Sequence, residues 1–166
     1  MAMLFWAGNS IAGRSLAGVV PPMTLTLYFH PFSSFCQKVL IALYENETPF
    51  EARVIDLGDP ASRADLERVW PLTKFPVLRD EEAGVTVPES GLINEYLAER
   101  HPGPVALVPA DPKAALEARI WDRFFDNYLM SAMQKPVFEA LKAEGARKEE
   151  AMLEVYYEDD YGTLGL

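Results

Sequence analysis

Two serines at the junction of a strand and a helix are the residues here whose types and spacing could do chemistry. Thr24 to Phe29 alternates β-branched, aliphatic and aromatic residues, the pattern of a strand. His30-Pro31 then forbids helix at residue 30 and ends the strand. Ser33 and Ser34 follow, both good helix-capping types, and after them comes an apolar stripe at helical spacing, Cys36, Val39, Leu40 and Leu43. Two hydroxyls at the start of a helix, beside its unpaired N–H groups and the positive end of its dipole, form a place to hold an anion. Ser33 also reads as a plain helix cap, and capping is compatible with donating to an anion.

The elements that must position this turn follow in order. The first helix stops near Asn46 and Pro49, and Phe50 to Ile55 is a short strand. Asp59-Pro60-Ala61-Ser62 reads as a turn, Ser62 to Val69 as a short helix, and Pro71 as its stop. The next strand begins at or after Pro76, because proline belongs at a strand's start. Glu81-Glu82-Ala83-Gly84 is a hairpin connection into Val85-Thr86-Val87. Pro88-Glu89-Ser90 opens a helix with the stripe Leu92, Ile93, Tyr96 and Leu97, stopped at His101-Pro102. The order β-α-β-α-β-β-α predicts a mixed four-stranded sheet, and the fold class is α/β with a thioredoxin-like N-terminal domain over residues 23–103.

Residues 104–166 are expected to form an all-α, shortened C-terminal domain. Lys113 to Met133 reads as one long amphipathic helix carrying Leu116, Ile120, Trp121, Phe124, Phe125, Tyr128 and Leu129. Its aromatic residues are expected mainly as interdomain core. Pro136 is expected to end or kink the helix, and Val137 to Ala143 to form another helical stretch. Residues 1–22 read as a disordered extension, since Gly8-Asn9-Ser10 interrupts their apolar run and no basic residue precedes it.

Composition narrows the function classes. The chain has 166 residues, 49% of them hydrophobic, which is the balance of a globular protein, and no run is long enough to span a bilayer. A net charge of −10 argues against nucleic acid or an anionic membrane as partner, but not against a small anion held by local dipoles. The single cysteine, Cys36, excludes an internal disulfide and multi-cysteine metal sites, and two histidines give no zinc constellation. A reducing, cytoplasmic setting is the expectation. In thioredoxin-fold oxidoreductases the position of Cys36 holds the second cysteine of Cys-x-x-Cys; serine at 33 removes dithiol exchange, and Cys36 is expected in the core.

Three segments in this order and spacing resemble the glutathione transferase family over roughly Thr24 to Met133. They are Ser33-Ser34-Phe35-Cys36-Gln37-Lys38-Val39, Lys74-Phe75-Pro76-Val77-Leu78, and Pro88-Glu89-Ser90. The resemblance implies that Pro76 follows a cis peptide bond and that the backbone at Val77 pairs, strand-like, with the cysteinyl unit of glutathione, next to Phe75. It implies that Ser90 binds the γ-glutamyl carboxylate, Glu89 sits near the ammonium and Lys74 lies towards the glycine carboxylate. Five residues before the Lys38-Val39 pair stands Ser33, which in serine-type members faces the glutathione sulfur; Ser34 is the alternative. Trp70-Pro71-Leu72-Thr73-Lys74 departs from the family's Asn-Pro-x-Gly-Lys run.

The chemistry so implied is thiolate stabilisation. A thiol with the ordinary pKa of about 8.5 is only a few per cent ionised at neutral pH, and the thiolate is the nucleophile. Lowering that pKa by two units takes about 2.7 kcal/mol. One hydrogen bond to a charged sulfur contributes about 1.5–3 kcal/mol, and a helix N-terminus adds roughly 0.3–1, up to about 2 when partly buried. The two suffice without a base or a metal. The expected function is conjugation of glutathione, as co-substrate, to a small hydrophobic electrophile by a homodimer. Glutathione-dependent isomerisation, as in the serine-containing zeta class, and a non-catalytic glutathione transferase-like binding protein are the alternatives.

Overall fold

The computed structural model describes residues 24–141. The reading for residues 1–22 and the part of the all-α reading that falls on residues 142–166 lie outside the described residues. Four strands, β1 (Leu25–Phe29), β2 (Glu51–Val54), β3 (Val77–Asp80) and β4 (Val85–Pro88), form one sheet in the order β2-β1-β3-β4. β2 runs parallel to β1, while β3 is antiparallel to both β1 and β4, so the sheet is mixed as expected. The parallel pair is possible because helix α1 (Ser34–Glu45) carries the chain between them.

Alternation along the strands divides the core in two. Leu25, Leu27 and Phe29 of β1 and Leu78 of β3 meet Cys36, Val39, Leu40 and Leu43 of α1 and Ile93 and Leu97 of α3 (Ser90–Arg100). On the other face Val77 and Ile55 meet Leu66 of α2 (Pro60–Val69). Central strands buried on both faces are what a sheet clad by helices on either side requires. Leu27, with no exposed surface, contributes about 1.5–3 kcal/mol by its burial.

The local signals for three helix starts are visible in the caps. Ser33 caps α1 through a contact from the Cys36 amide at 3.4 Å. Asp59 accepts from the Ser62 amide at 3.0 Å with Pro60 at the first helical position, so α2 begins two residues before the expected Ser62. An aspartate before a proline is a helix start as well as a turn signal, and here the helix prevails. Asp111 and Pro112 repeat the device at α4 (Pro112–Phe124), with the Ala114 amide 2.8 Å from the Asp111 carboxylate. The α1 stripe is buried as expected, whereas Leu92 of α3 is half-exposed and Ser90 and Gly91 take its place inside.

Beyond α4 the helix continues through a π-helical turn, Phe125–Leu129, into α5 (Met130–Leu141). Two expectations are corrected here. The chain stays helical across Pro136, so the proline does not end the helix. The apolar face of α4 is not interdomain core: Leu116, Ile120, Trp121, Phe125 and Tyr128 are exposed, and Ala115 is the buried residue of the helix. α4 meets α1 and α3 through the charged side chains Arg119, Asp122 and Arg123 instead.

Candidate functional site

The site is set by register across the sheet. Tyr28 of β1 pairs with Val77 of β3, and Val77 pairs with Pro88 of β4. The end of β1, the start of β3 and the end of β4 therefore lie in one row. The segments leaving that row are the turn to Ser33, the loop through Pro76, and Glu89-Ser90, which brings the three sequence-predicted segments to one end of the sheet.

In the first segment, Ser33 is half-buried at the N-cap of α1, its amide donating to the His30 carbonyl at 3.0 Å, while Ser34 is exposed at the first helical position. The two hydroxyls are thus not equivalent. His30 Nδ1 accepts from the Phe32 amide at 3.2 Å, and Gln37 Nε2 donates to the Pro31 carbonyl at 2.6 Å, so the turn is braced at both ends. Cys36 is buried in the core as expected. Burial pushes its thiol up, against the lowering effects of hydrogen bonds with the Ser33 side chain and the His30 backbone.

In the second segment, the Phe75–Pro76 peptide is cis, as the resemblance implies. The Phe75 ring lies 5.8 Å from the His30 ring at 20°, a stacked pair that joins this loop to the first turn. Pro76 and Val77 are buried, Phe75 is half-buried and Lys74 is exposed. Val77 is enclosed by β1 and β4, so Phe75 is the nearest non-proline residue of this segment that lies outside the sheet.

In the third segment, Glu89 is the N-cap residue of α3, exposed, with φ +68° and no side-chain cap hydrogen bond. A non-glycine residue in the left-handed region is uncommon and costs of order 1–3 kcal/mol, a type of strain that clusters at ligand sites. Ser90 is the first helical residue rather than the cap, and only 3% exposed. The helix thus presents first-turn N–H groups without a capping side chain, next to a buried hydroxyl.

Sequence reasoning missed the contribution of α4. A Cβ placed on Gly91 would lie 2.6 Å from Arg123 Nη2 and 2.7 Å from Asp122 Oδ2, so a guanidinium and a carboxylate sit directly over the first turn of α3. Arg119 binds Glu95 at 2.8 Å farther along the same pair of helices. Lys38 of α1 reaches Asp122 at 2.6 Å and Asp126 at 2.8 Å. Partners 84 and 88 residues apart leave no local signal; the cue available was Gly91 itself, a glycine inside a helix pattern that marks close approach. Among the described residues no group of three or more His, Cys, Asp or Glu could hold a metal ion, and no helix is long and apolar enough to cross a membrane.

The family profile "Glutathione S-transferase, N-terminal domain" matches residues 27–105, the segment that contains all three pieces of this site. Residues 27–105 thus carry a glutathione transferase N-terminal domain. Human glutathione S-transferase theta-1 is 37% identical over 109 residues, covering 64% of this chain and 41% of that protein. A glutathione S-transferase from Methylobacterium radiotolerans, solved in complex with glutathione sulfonate, is 30% identical with a TM-score of 0.65, covering 85% of this chain and 64% of that one. One from Methylobacillus flagellatus with GSH bound is 26% identical with a TM-score of 0.66, covering 85% and 67%. The sheet with its three flanking helices is the thioredoxin-like fold of the glutathione transferases, followed here by a helical segment. The chain spans about a third to two-fifths of the length of the first curated relatives it matches.

Proposed function

We propose that the chain binds glutathione at this end of the sheet and conjugates it to a small hydrophobic electrophile. The convergence of Ser33, the Phe75–Pro76 loop and Glu89-Ser90 through the Tyr28, Val77 and Pro88 register carries this reading. Structures with glutathione or its sulfonate bound among the similar proteins support it. The γ-glutamyl carboxylate is received by the free first turn of α3, the Ser90 hydroxyl and Arg123, and its ammonium by Glu89. Phe75 offers the strand-like backbone to the cysteinyl unit, in place of Val77, which the sheet encloses. Lys74 lies towards the glycine carboxylate.

The sulfur is held by Ser33 at the start of α1. The Ser33 oxygen accepts from the Cys36 amide, which leaves its proton to donate to the thiolate. The thiolate then attacks the electrophilic carbon; a C–S bond forms and the leaving group departs with its electron pair. The exposed aromatic residues of α4 and the π turn, Trp121, Phe125 and Tyr128, supply an apolar surface for the electrophile. A homodimer in the cytoplasm is the assembly and setting that go with this reading, and sedimentation tests the dimer.

Calorimetry with reduced glutathione tests binding, and conjugation of an activated chloronitrobenzene tests turnover. Heat and turnover together support the transferase; no heat on folded protein removes the reading. Heat without turnover favours a binding module, a reading that the exposed apolar face of α4 also suits.

A further inference from the structure

Lys38 ties the thioredoxin-like domain to the helical segment at the point where that segment changes its winding. Its ammonium meets Asp122 Oδ1 at 2.6 Å, in the last turn of α4, and Asp126 Oδ2 at 2.8 Å, inside the π turn. All three side chains are largely shielded, with 14–26% of their surface exposed. Two carboxylates four residues apart on one helical face repel each other, and a cation between them turns that repulsion into an anchor. The same face of α4 is also fixed on α3, by Arg119 on Glu95 and by Arg123 beside Asp122 over Gly91.

That face is therefore held against rotation by both α1 and α3, and what rotation would move is aromatic. Trp121 and Phe125 each precede one of the two aspartates, so they leave the helix roughly 100° round from the carboxylates. They are half-exposed, and their rings lie 6.1 Å apart. We propose that Lys38 is a positioning residue: by gripping Asp122 and Asp126 across the start of the π turn, it fixes the rotation of this helix and so aims Trp121 and Phe125 at the electrophile. The aim, but not the grip, rests on the transferase reading above. π turns inside helices are frequent at functional sites because one extra residue re-aims the side chains that follow.

The test compares wild type with Lys38→Met and Lys38→Arg. In Lys38→Met, amide exchange over residues 122–130 rises about tenfold while β1 and β3 amides stay protected. The KM for the chloronitrobenzene rises about five- to tenfold while the glutathione dissociation constant changes less than about twofold. Lys38→Arg restores both. Unchanged exchange, a parallel loss of glutathione affinity, or no recovery with arginine overturns the proposal. Should Lys38→Met fail to fold, Asp126→Asn approaches the same contact from the π turn's side, with the exchange, KM and glutathione-affinity outcomes deciding in the same way. Wild type that gives no heat with glutathione removes the transferase reading and the aiming role with it; the exchange comparison then decides the grip on its own.

Discussion

Ser33 and Ser34 are adjacent and chemically identical, and only position separates them. Ser33 is braced by its own amide on His30 and sits half-buried at the helix end, whereas Ser34 faces solvent. A hydrogen bond to a charged sulfur is worth about 1.5–3 kcal/mol, so Ser33→Ala is expected to raise the bound thiol's pKa by about 1–2 units and to cut conjugation at neutral pH by about 3- to 25-fold. Ser34→Ala is expected to leave both within about twofold. Thiolate absorbance against pH and steady-state rates check this, and the reverse ranking would assign the hydroxyl to Ser34. Cys36, three residues on, is enclosed in the core with its thiol pushed up by burial. It is expected to resist maleimide in the native protein and to react fully once unfolded, which mass spectrometry reads directly. Both serines and the inert cysteine were legible in the sequence because capping preference and a helical stripe are local properties. Arg123 and Lys38 were not, because each acquires its place only when α4 docks.

At the far end of the sheet, β3, the hairpin and α3 are joined by one carboxylate. Asp80, 2% exposed, accepts from the Ala83 amide at 3.0 Å, the Tyr96 hydroxyl at 2.8 Å and the His101 ring at 2.9 Å. Burial alone would raise its pKa, but these bonds and the charge of His101 outweigh it and hold the carboxyl below the usual aspartate range. A folded-state pKa below the unfolded one gives stability that is present above the unfolded value, about 3.9, and is lost as pH falls through the folded value. Asp80→Asn is therefore expected to cost about 1–3 kcal/mol at neutral pH, with the gap to wild type closing below about pH 4. Urea unfolding across that range checks it, and a gap that stays constant with pH would show that Asp80 contributes by shape alone. The strands and helices that Asp80 joins were legible from alternation, hairpin residues and stops. The burial pattern of α3 was less so: Leu92 fits the stripe by type, but the helix turns Ser90 and Gly91 inward because Asp122 and Arg123 of α4 lie over its first turn. The π turn left no mark in residue type at all, since Phe-Asp-Asn-Tyr-Leu suits an ordinary α-helix equally well.

The whole molecule depends on how the connection after α3 is seated, because that connection delivers α4 to α1 and α3. It is pinned at the C-terminal end of α1, where Asn46, 6% exposed, accepts the Val105 amide on Oδ1 at 2.8 Å. Gly103 packs so tightly on Asn46 that a Cβ there would fall 2.5 Å from the asparagine Cβ and 2.6 Å from its Cγ. The atoms in the way belong to the base of a buried side chain rather than to a flexible tip, so the linker would have to lift. In sequence, Gly103 reads as punctuation between two prolines, and nothing local reveals that its missing side chain is what lets the connection lie flat. Overpacking of this sort costs about 1–3 kcal/mol, and Gly103→Ala is expected to lower thermal stability accordingly. Removing the acceptor and the Cβ together, in Asn46→Gly, strands the Val105 amide but leaves room, for a cost of about 1–3 kcal/mol. In the double variant with glycine at 46, Gly103→Ala is expected to add little further cost, because removing the asparagine Cβ and Cγ clears the atoms that residue 103's Cβ would meet. Thermal melts of the two single variants and the double variant complete the cycle, and additive losses would show that the two residues stabilise the molecule independently rather than as one joint.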